Sequence, residues 1–223
     1  MYNNLKKRIV IFIIITVIIF LIKSVEGIQI TNYLLTTTPS NFIDISSTGT
    51  EITLGDDTYQ VVNMGFDFTL YENTSNNITI TSNGYLTFLT GSFFGNIDIP
   101  DPSLPNSVIA PFWDDLNPNP FFGGKVYYST LGVSPNRIFI VQYNNVPHFD
   151  SIPNGVTFQV KLYESSNDIE FQYLDVLFNN STLDNGSSAT IGLENFYGSK
   201  AVKFSFDQPS LFNGLGLLFK VAL

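Results

Sequence analysis

From Val156 to Tyr163 the chain alternates strictly, with Val156, Phe158, Val160 and Leu162 pointing one way and Thr157, Gln159 and Lys161 the other. A period of two fits an extended strand, whose successive side chains leave opposite faces of the backbone. The pattern resumes after the polar turn Glu164 to Asp168, where Ile169, Phe171 and Tyr173 are set against Glu170 and Gln172. The two runs predict a β-hairpin with one face in water. Asn83-Gly84, a dipeptide that tolerates positive φ at a two-residue turn, marks a second hairpin between runs 78–82 and 85–89. Further strand-like runs fall at 42–46, 50–54, 58–63, 66–70, 108–112, 125–130, 137–143, 188–194, 200–206 and 215–222. Past Gly27 no segment of a dozen residues carries apolar positions at helical spacing. The expectation is an all-β fold, a two-layer antiparallel β-sandwich of jelly-roll-like type. No crossover helix is available for a parallel α/β sheet.

The amino terminus reads differently. Lys6, Lys7 and Arg8 precede an apolar run from Ile9 to Ile22, interrupted only by Thr16, and small residues follow at Ser24 and Gly27. Charge, apolar stretch and small residues in that order are the signature of a secretory signal peptide. The run falls short of the roughly 20 residues that cross a bilayer as a helix. Residues 1–27 are therefore expected to be a signal peptide, 28–41 a leading segment and 42–222 the sandwich, with no stable membrane span in the mature form. Five Asn-x-Ser/Thr sequons, at Asn73, Asn77, Asn179, Asn180 and Asn185, suit a secreted or cell-surface glycoprotein. They cluster in two polar stretches, 71–77 and 179–188, that read as loops.

Composition removes most chemistry. Ten Lys plus Arg stand against 19 Asp plus Glu, a formal net charge of -9, which is too few cations to line a nucleic-acid groove. No cysteine is present, so a disulfide framework, a thiolate zinc site, an iron–sulfur cluster and a cysteine nucleophile are all excluded. His148 is the entire imidazole supply, too little for a histidine-rich catalytic zinc, and no Gly-x-Ser-x-Gly elbow accompanies it. Hydrophobic residues make up 44% of 223, enough for one sizeable core without disulfides.

Several segments taken in order carry a family resemblance. They are Ser82-Asn-Gly-Tyr-Leu-Thr-Phe88, Val108-Ile-Ala-Pro-Phe-Trp-Asp-Asp-Leu116, Gly124-Lys-Val-Tyr-Tyr128 and Ile140-Val-Gln-Tyr-Asn-Asn-Val-Pro-His148. Val156 to Tyr163, Ile169 to Tyr173 and Ala189-Thr-Ile-Gly-Leu-Glu-Asn195 complete the series. Over roughly 42–219 the chain resembles the nidogen-like extracellular domain and related β-sandwich modules of secreted bacterial proteins. The resemblance implies an extracellular interaction module with no known catalytic residues. Such modules typically form one part of a larger chain, whereas here the module is expected to stand nearly alone.

Candidate sites follow from the residues. Trp113-Asp114-Asp115, beside the irregular stretches 91–107 and 117–124, offers a ring for sugar stacking and carboxylates for calcium, with Asp98 and Asp101 as further oxygen ligands. The same residues read equally as a core plug, Phe112 and Trp113, followed by turn-capping aspartates. Phe121 and Phe122, with Phe93 and Phe94, lie in loops where paired phenylalanines suit a protein partner. Glu164, Glu170 and Glu194 are the carboxylates a glycosidase would draw on. The expected function is a secreted, non-catalytic binding or adhesion module that recognises an extracellular protein or matrix component through loops at one end. Glycan binding, calcium-assisted or not, is the alternative, and a glycosidase comes behind both. No cofactor is expected unless calcium serves.

Overall fold

A computed structural model describes residues 32–222, so the expected signal peptide lies outside the described residues. The strands are β1 (Asn32–Pro39), β2 (Thr50–Ile52), β3 (Tyr59–Leu70), β4 (Asn73–Thr81), β5 (Leu86–Thr87), β6 (Val108–Trp113) and β7 (Lys125–Leu131). After them come β8 (Ile138–Pro147), β9 (Gly155–Tyr163), β10 (Ile169–Asp175), β11 (Thr190–Glu194), β12 (Ala201–Phe206) and β13 (Leu215–Ala222). Sheet A has the order β1-β13-β10-β9-β8-β7-β2 and sheet B the order β12-β11-β6-β5-β4-β3. All the strand pairings are antiparallel, and the two sheets pack face to face as an all-β sandwich. Consecutive strands are mostly sheet neighbours, which short connections allow.

The β9–β10 hairpin pairs Leu162 with Ile169 and Phe158 with Tyr173, and its alternating apolar side chains are buried in the core between the sheets. The Phe158 ring stacks on Tyr143 of β8 at 4.6 Å and on Phe112 of β6, in the opposite sheet, at 5.5 Å. Two sheet A tyrosines also donate across the core, Tyr143 to the Thr81 carbonyl and Tyr173 to that of Pro111, both at 2.7 Å. Burial pushes both phenols up, so they remain neutral donors.

The polar face of that hairpin does not meet water as expected. Thr157, Gln159, Lys161 and Gln172 are buried, and the cause is topological. β1 and β2 occupy opposite edges of sheet A, six strand spacings apart, or roughly 29 Å. Residues 40–49 must bridge them, and ten extended residues reach about 33–36 Å. The connection therefore crosses the outer face of the sheet nearly straight. Gln142, Gln159 and Gln172 stand side by side on β8, β9 and β10. Their Oε1 atoms accept from the N–H groups of Ile45 (2.9 Å), Ile43 (2.9 Å) and Asn41 (2.6 Å) respectively. Gln159 Nε2 donates back to the Ile43 carbonyl at 2.9 Å, and Lys161 Nζ donates to that of Asn41 at 2.5 Å. The run 42–46, expected as a strand, is thus a strap held by side chains.

Other expectations shift locally. The leading segment 28–41 contributes β1, which pairs along its full length with β13, from Asn32 opposite Ala222 to Pro39 opposite Leu215. Runs 58–63 and 66–70 form the single strand β3, whose register against β4 slips between Asn63 and Phe68. The polar stretch 71–77, read as a loop, supplies the first half of β4, so Asn73 and Asn77 sit on a strand. Asn83-Gly84 does close the β4–β5 turn, but the loop has three residues, 82–84. Thr81 N–H donates to the Tyr85 carbonyl at 3.2 Å, and Gly84 takes φ +73°.

Candidate functional site

Trp113 owes its position to a bulge. Thr190 of β11 pairs with Trp113, yet Gly192 pairs with Ala110, so β6 carries one extra residue there. The slip lets Phe112 enter the main core while Trp113 turns to the outer face of sheet B, beside Tyr85, Ile99, Val108 and Ala110. The connection 88–107 folds over this face. Trp113 Nε1–H donates to the Phe93 carbonyl at 2.9 Å, the Tyr85 ring lies 4.9 Å away, and Trp113 is 0% exposed. The tryptophan expected to stack a sugar therefore presents no ring face to solvent.

The covering connection follows β11 residue by residue. Thr190 Oγ1 donates to the Ile97 carbonyl and Glu194 Oε1 accepts the Asp101 N–H, each at 2.7 Å. Glu194 is fully buried and its Oε2 has no partner. Burial pushes its carboxyl from 4.5 up to about 7; the Asp101 N–H opposes the rise and the Asp101 carboxylate adds to it. The folded value lies above the unfolded one, so this stabilisation is complete below about 4.5 and lost as pH rises through about 7. Its full size is about 3 kcal/mol. Denaturant titrations should show wild-type stability falling relative to Glu194→Gln over that window, and parallel profiles would refute the assignment.

The four aspartates expected around calcium do not converge. Asp98 pairs with Lys203, and Asp101 caps the Ser103 N–H beside Glu194. Glu194 is four residues along β11 from the Trp113 pairing, about 13 Å away. Asp114 is buried and already engaged: Oδ2 accepts Ser188 Oγ at 2.6 Å, and Oδ1 accepts the Asp115 N–H at 2.9 Å and lies 3.3 Å from His148 Nε2. His148 Nδ1 accepts the Asp150 N–H at 3.0 Å. Burial opposes a charged ring here, but Asp114, with Asp115 and Asp150 beyond, outweighs it and holds the His148 pKa above its ordinary value. The acid sits between hydroxyl and imidazole, so the ring cannot take a proton from Ser188, as nucleophilic catalysis would require. Glu164 is held by Arg137 and Glu170 lies against Lys161. With Glu194 under Asp101, the three glutamates are engaged separately.

Asp115 is only partly buried, and it meets two residues that sequence reasoning passed over. One carboxylate oxygen from each of Asp56, Asp57 and Asp115 lies within 4.8 Å of the others. With Phe94 and Phe149 they line a cleft of about 220 Å³. Strand registers bring the β2–β3, β4–β5, β6–β7, β8–β9, β10–β11 and β12–β13 connections to this same end. Exposed apolar side chains there include Phe94 (57%), Phe121 (88%), Phe149 (48%), Ile152, Leu177 and Phe212. Phe121 is held outward by a 3₁₀ turn, Pro120–Phe122, in which Asn119 Oδ1 accepts the Phe121 N–H and Gly123 closes at φ +87°. The Phe122 ring is half-buried and meets Phe121 edge to face at 5.3 Å. Of the sequons, Asn179, Asn180 and Asn185 lie on the β10–β11 connection of this end.

Fold and site together define an all-β sandwich module whose loops gather at one end and in which, among the described residues, Ser188, Asp114 and His148 are not ordered as a catalytic relay. The NIDO-related family model matches residues 32–214, and the chain belongs to that nidogen-related family. Domains of this family are non-catalytic modules, typically extracellular. Neither the curated proteins nor the solved structures searched contain a match.

Proposed function

We infer that this chain is a secreted, non-catalytic binding or adhesion module that engages an extracellular protein or matrix component through the loop end of its sandwich. One observation carries the reading: the connections at that end expose several large apolar side chains, with Phe121 88% exposed. Aromatic groups around an acidic cleft are the composition of a recognition patch, because a few aromatic anchors supply most of the binding energy at an interface. Stretch 117–124 supplies Phe121 to the patch. Stretch 91–107 supplies Phe94 and otherwise serves as a cover for sheet B. Sugar recognition through Trp113 loses its support, since that ring is sealed.

The test uses the secreted chain as bait on extracellular matrix and medium. Capture should weaken by about thirtyfold when Phe94, Phe121 and Phe149 are all changed to Ser, the loss of about 2 kcal/mol expected for an anchor cluster. It should persist when Val133 and Tyr197, exposed at the opposite end, are changed instead. Equal capture by both variants would refute the reading.

A further inference from the structure

We propose that Asn180 is the chain's principal N-glycan acceptor, set apart from the other four sequons by a contact made within residues 180–182 of the β10–β11 connection. The inference rests on the secreted part of the reading above and not on the partner, since a glycan is attached before any partner is met.

The support is which hydroxyl reaches which asparagine. In the transfer, Nδ2 bonds to the anomeric carbon of an oligosaccharide, the lipid diphosphate that carried the sugar departs with the bonding pair, and Nδ2 gives up one proton. The Ser or Thr two residues on completes the acceptor. At Asn180, Oδ1 accepts Thr182 Oγ1–H at 2.8 Å and Thr182 N–H at 3.2 Å. Two donors draw charge onto Oδ1 and make an Nδ2 proton easier to release. Among the described residues Nδ2 itself donates to no protein group, so it is free for the new bond.

The other sequons lack this contact. Thr79, two residues after Asn77, is buried and donates to the Leu89 carbonyl, while Asn77 Oδ1 accepts Asn63 Nδ2 at 3.0 Å. Ser75, which completes the Asn73 sequon, donates to the Asn77 carbonyl at 2.7 Å. Ser187, which completes that of Asn185, donates to the Asp184 carbonyl at 2.6 Å. Asn185 is also pinned by its backbone, with N–H on the Val176 carbonyl and its own carbonyl accepting from Leu211. Asn179 makes no bond to Ser181 among the described residues, and a branched sugar on Asn180 leaves no room for a second beside it.

A turn closed by Asn180 and Thr182 needs no distant partner, so the nascent chain can form it before the sandwich assembles. The fold then keeps it. The Asn180 carbonyl accepts the Leu183 and Asp184 N–H groups at 2.9 and 2.8 Å, and Asp184 Oδ1 accepts the Phe178 N–H at 2.7 Å. Ser181 and Thr182 are exposed, which opens the acceptor to water. Of the exposed apolar side chains at the loop end, Leu177 shares this connection, whereas Phe94, Phe121 and Phe149 stand on others.

The experiment expresses the full chain in a eukaryotic secretory host and treats the product with a peptide N-glycosidase in heavy-oxygen water. That enzyme leaves a labelled aspartate wherever a glycan stood, and mass spectrometry of the peptides reads its position. The expected result is a label at Asn180 in most chains and several-fold less at the other four. Thr182→Ala leaves the Asn179 sequon intact and should nevertheless lose one glycan, as should Asn180→Gln. Thr182→Ser keeps the hydroxyl and should retain it. A secreted chain that is bare at Asn180, or labelled there no more than elsewhere, would overturn the proposal and leave secretion standing. A chain kept inside the cell with Met1 intact and no sugar would overturn the secreted reading together with it.

Discussion

Gly84→Ala is expected to destabilise the fold by more than about 3 kcal/mol, and few single methyl groups elsewhere in the chain should do as much. Gly84 sits at φ +73°, a left-handed conformation that costs a residue with a Cβ about 1–2 kcal/mol. Space is the larger obstacle. A Cβ there would lie 1.9 Å from the Phe112 carbonyl oxygen and 2.9 Å from Leu116 Cδ1. The first is backbone and cannot swing aside. Phe112 is fixed on both sides, because its N–H donates to the Gly84 carbonyl and its ring stacks on Phe158. Relief must then come from opening the 82–84 turn away from β6. At about 2–4 °C per kcal/mol for a domain of this size, the melting temperature should fall by roughly 10 °C. Gly95→Ala is the matched control, since a Cβ at Gly95 meets nothing within 4 Å. Equal melting of the two variants would refute the packing argument at this turn.

Much of this architecture was legible in the sequence because alternation reports the core face directly. Phe158 and Tyr173 were assigned inward by period alone, and they pair in register inside the core. What alternation does not report is whether the other face meets water. Gln159 and Lys161 look like surface residues on any strand, and only the route from one edge of sheet A to the other brings residues 40–46 over them. The leading segment 28–41 could not be assigned as strand or loose arm for a related reason. Among the residues of β1 only Tyr33 is buried, so its pairing with β13, far along the chain, leaves no local pattern. The stretch 91–107 was recognised as irregular, but the bulge that sends Trp113 under it is a matter of register between β6 and β11.

The site was legible in part. Phe121 was marked by its place between Pro120 and Gly123, and it is the most exposed large apolar residue of the loop end. Asp115 was marked for its neighbours Trp113 and Asp114, both of which are buried. Its spatial partners Asp56 and Asp57 belong to a turn that reads like any other, about 60 residues away, and only the successive β3–β4, β4–β5 and β5–β6 pairings bring that turn to the end of β6. Asn83 was noticed for the turn it makes; its unpartnered oxygen is a property of the folded chain alone.

Removing the middle of the glutamine row should free the strap without unfolding the sandwich. Gln159 makes both bonds to Ile43, accepting its N–H and donating to its carbonyl, each at 2.9 Å. Gln159→Leu keeps the bulk and deletes both, leaving two backbone groups under partial cover, a loss of about 2–4 kcal/mol. The flanking bonds from Gln142 and Gln172 hold the strap by its neighbours, so the loss should appear first as local opening. Amide exchange at Asn41, Ile43 and Ile45 should accelerate together, and a protease should cut within 40–49 while β9 and β10 keep their protection. Gln159→Glu separates the two bonds. It retains an acceptor for the Ile43 N–H but sets a carboxylate against the Ile43 carbonyl, so Ile43 should stay protected while stability still declines. If Ile43 exchanges as slowly in Gln159→Leu as in the wild type, the side-chain ladder does not hold the strap. Its near-straight run between the two edges of sheet A would then suffice by itself.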